Sequence, residues 1–193
     1  MGAMDREQLI AFLSGHVSAA RLEHCLGVER AALELGPKFG APPELISPAA
    51  LLHDLCREYT ADSLLQLASK FGIVINDIER SEPILLHGLV GAELAHAELG
   101  IDHPEIREAI SFHITGGPAL SALARLVFVA DFVEPGRQFI NARILRDQIP
   151  FLTSGQILLR VYNYTICYVT QKGYFIHPNS VAGRNELIFK GVQ

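Results

Sequence analysis

The sequence predicts an all-α protein, a helical bundle closed around a buried metal site. Three observations lead there. Apolar residues recur at helical spacing along most of the chain, between recognisable helix caps and stops. The run Ala49-Ala50-Leu51-Leu52-His53-Asp54-Leu55-Cys56 is apolar at nearly every position, yet carries a His-Asp pair. Four further residues, His24, His87, His113 and Asp131, also lie on apolar helical stripes. A carboxylate inside an apolar run is costly unless its charge is compensated, and a metal ion compensates it.

In order, Asp5–Leu13 reads as a short amphipathic helix ended by Gly15. Ser18 caps a helix over Ala19–Leu35, which Gly36 and Pro37 are expected to stop. On it His24, Val28, Ala31 and Leu35 form one stripe, and Arg21 shares the face of His24. Ser47 and Pro48 supply an N-cap and a first helical residue, so the central helix is expected to begin there. Thr60 caps a helix reaching Phe71, and Asn76 starts a short one. Pro83 opens a helix to about Leu99, with Gly100 as its stop and with Gly88 and Gly91 flanking His87.

Pro104 begins a helix whose Ile106, Ala109, Ile110 and His113 share a face, before the turn Thr115-Gly116-Gly117-Pro118. Leu120, Ala124, Val127, Phe128 and Asp131 stripe the next helix, closed by Pro135-Gly136. Thr153 with Gln156 resembles a capping box for a helix to about Lys172. This segment is rich in β-branched and aromatic residues, but the distance between its cap signals favours helix over strand. The tail from Tyr174 reads as irregular, with one turn near Val181–Asn185.

Composition bounds the function. The 193 residues suggest one domain over 1–193, with its core at about 18–135 and a helix and tail over 150–193. A hydrophobic share of 49% makes disorder an unsuitable reading, and a net charge of -5 disfavours a broad nucleic-acid surface. No apolar run is long enough for a membrane span. Cys25, Cys56 and Cys167 form no C-x-x-C and read as small core hydrophobes in a reduced, cytoplasmic setting. His16, His96 and His103 lie off the apolar stripes and read as surface residues.

Each member of the series has a bland reading. A lone buried His is usually a hydrogen-bonded core residue, and Asp54 alone has an ion-pair partner available in Arg57. Six such residues on five separate apolar faces outweigh these readings. The gaps between them are long enough for one helix and its connection, so five helices can converge on one point, as in bundle metal sites. His and carboxylate donors suit a divalent first-row ion such as iron, manganese or zinc.

The series H…HD…H…H…D resembles the HD superfamily of metal-dependent phosphohydrolases. The strings Glu134-Pro135-Gly136-Arg137, and Ile176-His177-Pro178 with Ala182 and Arg184-Asn185, narrow the resemblance to the YqeK family of symmetrical bis(5'-nucleosyl)-tetraphosphatases. The match runs from about Arg21 to Asn185. It departs from the family pattern at Arg57, where Lys is usual, and at Ile114, where a threonine is usual.

The resemblance implies an HD-domain fold and a homodimer. It also implies an iron-dependent hydrolase that cleaves diadenosine tetraphosphate into two ADP. His24, His53, Asp54 and Asp131 are the expected ligands of one ion. His87 and His113 either hold a second ion, with Asp54 bridging, or face the substrate phosphates. Asp54 and Arg137 are the expected catalytic residues. His87, His113, Ile114, Thr115, Arg57, Arg137, His177 and Arg184 are the expected substrate contacts, since guanidinium groups fork onto phosphate. Two other readings stay open, a different HD-type nucleotide phosphohydrolase and a non-catalytic nucleotide sensor.

Overall fold

The computed structural model describes residues 5–193. Among them there are eleven α-helices, two 3₁₀ turns and no strand. The helices are α1 (Arg6–Ser14), α2 (Ala19–Phe39), α3 (Pro43–Leu52), α4 (Ala61–Lys70), α5 (Asp77–Ser81) and α6 (His87–Leu99). They continue as α7 (Pro104–Phe112), α8 (Ala122–Val133), α9 (Ile140–Gln148), α10 (Ser154–Gln171) and α11 (Pro178–Phe189). The 3₁₀ turns are Pro83–Leu86, ahead of α6, and Ile149–Phe151, after α9. No helix among the described residues is long and apolar enough to cross a membrane.

The centre belongs to α3 and α8, the two helices that are hydrophobic almost all round. Ala49, Ala50, Leu51 and Leu52 of α3 are fully buried, and eight of the twelve residues of α8 are buried. Helix α2 packs across both, while α7 packs against α3, α6 and α8. Arg6 clamps α1 to α2 with two hydrogen bonds, at 2.8 and 2.7 Å, to the buried carboxylate of Glu29. Helices α10 and α11 pack against each other, and α10 also meets α8.

Several helix ends differ from the sequence expectation. Helix α2 runs through Gly36 and Pro37 to Phe39 and ends at Gly40, which has φ 68°. Gly36 has no Cβ to clash with the ring of Pro37, so the chain stays helical before the proline. Helix α3 starts at Pro43, five residues before the first helical position expected at Pro48, and carries Pro48 inside it. Pro48 is the sixth residue of the helix, so it forgoes the hydrogen bond its N–H would have made to Glu44 O. His53 is therefore the C-cap of α3, and Asp54 lies on the turn beyond it, not in the middle of a helix.

The segment opened by Pro83 begins as a 3₁₀ turn and becomes α-helical only at His87. Helix α9 has no counterpart in the sequence expectation, and α11 is a twelve-residue helix in place of a single turn. Cys25 and Cys56 are core residues, their thiols pushed up by burial (Cys56 to about 12), whereas Cys167 is exposed.

Gly88 sits where α6 crosses the end of α7. A Cβ there would stand 2.6 Å from the Ser111 carbonyl oxygen and 2.8 Å from that of Ile110. In an open helix, replacing Gly by Ala is stabilising. Here Gly88→Ala should instead destabilise by about 1–3 kcal/mol, because backbone must move. The denaturation midpoint measures this, and a raised midpoint would refute the close approach.

Candidate metal centre

Most of the candidate ligand residues stand at helix ends. His53 and His113 are the C-caps of α3 and α7, and His87 opens α6 as the C-cap of the 3₁₀ turn. Asp131 occupies the last turn of α8, and only His24 lies well within a helix. The last carbonyls of a helix have no N–H partner within it, and the C-terminal end carries partial negative charge that favours a cation.

Three of the imidazoles use those carbonyls in one repeated way. His53 Nδ1 donates to Ala50 O at 2.7 Å, His113 Nδ1 to Ile110 O at 2.7 Å, and His87 Nδ1 to Ile84 O. In each case the ring folds back on the carbonyl three residues earlier. His24 Nδ1 donates to the buried Glu134 carboxylate at 3.2 Å. With Nδ1 committed as a donor, each ring presents the Nε2 lone pair to the common centre.

There the side chains meet. His24 Nε2 stands 3.0 Å from Asp131 Oδ1 and 3.5 Å from Asp54 Oδ2. His53 Nε2 stands 3.4 Å from Asp54 Oδ2 and 3.9 Å from Asp131 Oδ1. His87 and His113 approach the other oxygen, Asp54 Oδ1, at 3.2 and 3.4 Å. Asp54 thus lies between two donor groups.

The donors fit a cation. Nε2 of His24 and of His53 are buried without a hydrogen-bond partner. His87 Nε2 and His113 Nε2 face each other at 3.0 Å. With Nδ1 donating on both rings, two lone pairs would confront each other there unless a proton or metal ion lies at the site. Burial alone pushes the Asp54 carboxyl up, but His53, His113 and His87 outweigh it and hold it well below the usual range. Burial likewise opposes ionisation of Asp131, and His24, Arg137 and His53 overcome it. Burial pulls the His87 imidazole down, towards its neutral, metal-ligating form.

Two guanidinium groups border the centre. Arg137 bonds the Asp131 carbonyl through Nε at 3.0 Å and Asp131 Oδ1 through Nη2 at 2.5 Å. Arg21 Nη1 bonds Asp54 Oδ2 at 2.8 Å, so the partner of Asp54 is Arg21 rather than Arg57. Arg21 shares the face of His24, which was the signal for it in the sequence. Glu134 and Arg146 were not singled out by their chemistry. Glu134 Oε2 accepts from Gly136 N, and a Cβ on Gly27 would stand 2.7 Å from it. Arg146 Nη1 donates to the carbonyls of Val133, Glu134 and Arg137, so α9 latches the loop that carries both Glu134 and Arg137.

Three of the other expected substrate contacts make hydrogen bonds within the fold. The Thr115 hydroxyl donates to Gly116 O, and Thr115 O accepts from Ser180 Oγ of α11. His177 caps α11, with Nδ1 accepting from Asn179 N and Nε2 facing Glu79 Oε1 at 3.3 Å. Arg184 donates to Asn163 Oδ1 of α10 at 2.6 Å. Arg57 and Ile114 are half-buried. His96 and His103 are exposed as read, while His16 is half-buried against Phe12.

Asp54→Ala should abolish metal binding while the far-ultraviolet circular dichroism stays native, since the core of α3 lies on the preceding turns. Glu134→Ala should lower metal affinity about 10–100-fold, because it frees the His24 ring that the carboxylate orients. Metal content after dialysis against graded chelator reads both. Full occupancy in either variant would contradict the geometry.

Comparison with known proteins agrees with this centre. The HD domain model matches residues 21–136. A symmetrical bis(5'-nucleosyl)-tetraphosphatase of Halalkalibacterium halodurans is 30% identical over 187 residues, covering 97% of this chain and 99% of that protein. A protein of the same name from Bacillus subtilis is 27% identical over 185 residues, covering 96% and 98%. A crystal structure of a predicted HD superfamily hydrolase involved in NAD metabolism, from Clostridium acetobutylicum, superposes with a TM-score of 0.92 at 31% identity. It covers 98% of this chain and 100% of that one. With the His and Asp series gathered at one point, the chain belongs to the HD domain family of hydrolases, in the branch of the symmetrical bis(5'-nucleosyl)-tetraphosphatases.

Proposed function

We propose that this protein hydrolyses diadenosine tetraphosphate symmetrically, giving two ADP. The observation that carries the reading is the gathering of His24, His53, Asp54 and Asp131 beside Arg137 in a chain that aligns end to end with proteins of that name. A divalent ion would be held by these four residues. Their nitrogen and carboxylate donors suit iron, manganese or zinc, and the family resemblance favours iron. When bound, the ion supplies charge neutralisation at the attacked phosphorus and lowers the pKa of water.

The protein's own groups supply the remaining parts. Arg137 is placed to fork onto phosphate oxygens next to Asp131. His87 or His113, when it carries a proton on Nε2 and the two rings part, would donate that N–H to a phosphate oxygen. Water adds to one of the two central phosphorus atoms as the bridging oxygen between them departs with the other half. That leaving group is a nucleoside diphosphate with a last pKa of about 6, so no strong general acid is required. Alignment and charge neutralisation dominate the catalysis.

A second reading has its own observation. Because His87 and His113 both approach Asp54 Oδ1, they are also placed to hold a second ion, with Asp54 bridging. Metal stoichiometry separates the two, one ion per chain against two. We further infer a homodimer from the family resemblance, a cytoplasmic setting from the free cysteines, no nucleic-acid partner from the acidic net charge, and no membrane partner from the lack of a helix, among the described residues, long and apolar enough to cross one.

Arg137→Ala should lower kcat about a hundredfold while metal content stays at the wild-type level. Unchanged turnover would assign Arg137 a purely structural role. Chromatography of the products from diadenosine tetraphosphate should show ADP alone. AMP together with ATP would refute symmetrical cleavage and leave a different HD-type phosphohydrolase. Binding without any product would leave the sensor reading.

A further inference from the structure

An open groove of about 610 Å3 adjoins the metal centre on the side of Asp131 and Arg137. Its other lining residues are Phe132, Phe139, Ile140, Asn141, Tyr164, Thr165 and Tyr168, from α8, α9 and α10. The groove shares no lining residue with the turn at Thr115 or with α11, where the resemblance expects one nucleotide. Its volume lies within the range of small-molecule sites, about 300–1,000 Å3.

The groove is graded along its length. Arg137 and Asp131 are its only charged residues, and both belong to the metal centre. The rest is aromatic, aliphatic or neutral polar. The rings are ordered against one another. Phe132 and Tyr164 lie parallel at 5.9 Å, and Phe139 meets Phe132 edge-on at 5.0 Å. Yet Phe139 is 45% exposed, Ile140 63% and Tyr168 54%. Packing does not account for three such residues left uncovered beside a charged centre. Aromatic faces next to an arginine suit a base carried on a phosphate chain, and Asn141, Thr165 and the tyrosine hydroxyls provide partners for base edges or ribose.

We propose that this groove seats one adenosine of the dinucleotide, the half on the far side of the scissile bond from the nucleotide expected near α11. The inference rests on the tetraphosphatase reading. It deepens that reading by naming where one end of the dinucleotide is held beside the metal centre. Arg137, paired with Asp131, sits where the groove adjoins the metal centre. Stacking on Phe139 and Tyr168 would hold the second base, and losing it would weaken binding rather than chemistry.

The test is a double variant, Phe139→Ala with Tyr168→Ala, in the metal-loaded full chain. Both positions are exposed enough for the fold to survive, which a native melting curve verifies. Calorimetric titration with ADP should count two molecules per wild-type chain and one per variant chain. KM for diadenosine tetraphosphate should rise about tenfold, with kcat changed by less than about threefold. Two ADP in the variant, or one in the wild type with an unchanged KM in the variant, would overturn the seat. A shift in oligomeric state on light scattering, with ADP binding intact, would also overturn it and make the groove a contact between copies. Should wild-type protein release no ADP from diadenosine tetraphosphate, the parent reading fails on its own, while the ADP count still reports on the groove.

Discussion

The carboxylate of Asp54 sets the terms for the rest of the structure. It is almost wholly buried, and removing such a charge from water is prohibitive unless cations replace the water. Four imidazoles from four different helices, and one guanidinium, stand within 3.5 Å of it. None of these groups is near Asp54 in sequence except His53. The fold therefore has to deliver them together, and it has to deliver them rigidly. The apolar character of α3 and α8 follows from that need, because a close-packed core is what fixes the helix ends in register.

Helix ends, more than helix faces, position the ligands. A carbonyl left over in the last turn needs a donor, and a ligating imidazole needs its Nδ1 fixed. At His53, His87 and His113 one hydrogen bond to the carbonyl three residues back meets both needs. Stopping the helix at that point is thus part of the site. It also explains the small residues nearby. Gly88 lets α6 lie directly on the carbonyls of Ile110 and Ser111, one of which orients His113. Gly27 leaves room for the Glu134 carboxylate that orients His24.

This division decides what was legible in the sequence. The residue types and their apolar stripes were readable, because a His or Asp among leucines and alanines is anomalous wherever the helix begins. The ends were less so, because Pro48 and Pro37 look like boundaries and are tolerated inside their helices. Helix α9 buries only Ala142 and Leu145, and α11 buries Ser180, Gly183 and Leu187. Faces so small, or so short of large apolar side chains, leave no periodic signal. In α11 the small residue is the reason for the contact. A Cβ on Gly183 would meet the Tyr162 hydroxyl at 2.4 Å and Gly117 O at 2.6 Å. Long-range partners such as Glu134 and Arg146 are set by distance in space, on which spacing in the chain is silent.

Charge at the centre then accounts for how an acidic protein handles a polyanion. The molecule carries a formal net charge of -5, yet the buried carboxylates of Asp54 and Glu134 belong to the site. Asp54 and Asp131 together would balance the charge of one divalent ion. Arg21 and Arg137 sit on those same carboxylates and exceed by one the charge of Glu134, the remaining acid beside them. The loaded centre is thus locally cationic, within a surface that repels anions at longer range. Screening at physiological salt confines each field to about 8 Å, so the local sign governs phosphate recognition and the overall sign does not. A centre of this kind discriminates by contact. A nucleic-acid backbone would need a broad cationic surface, whereas a short phosphate chain needs only the few ångströms around Asp131 and Arg137.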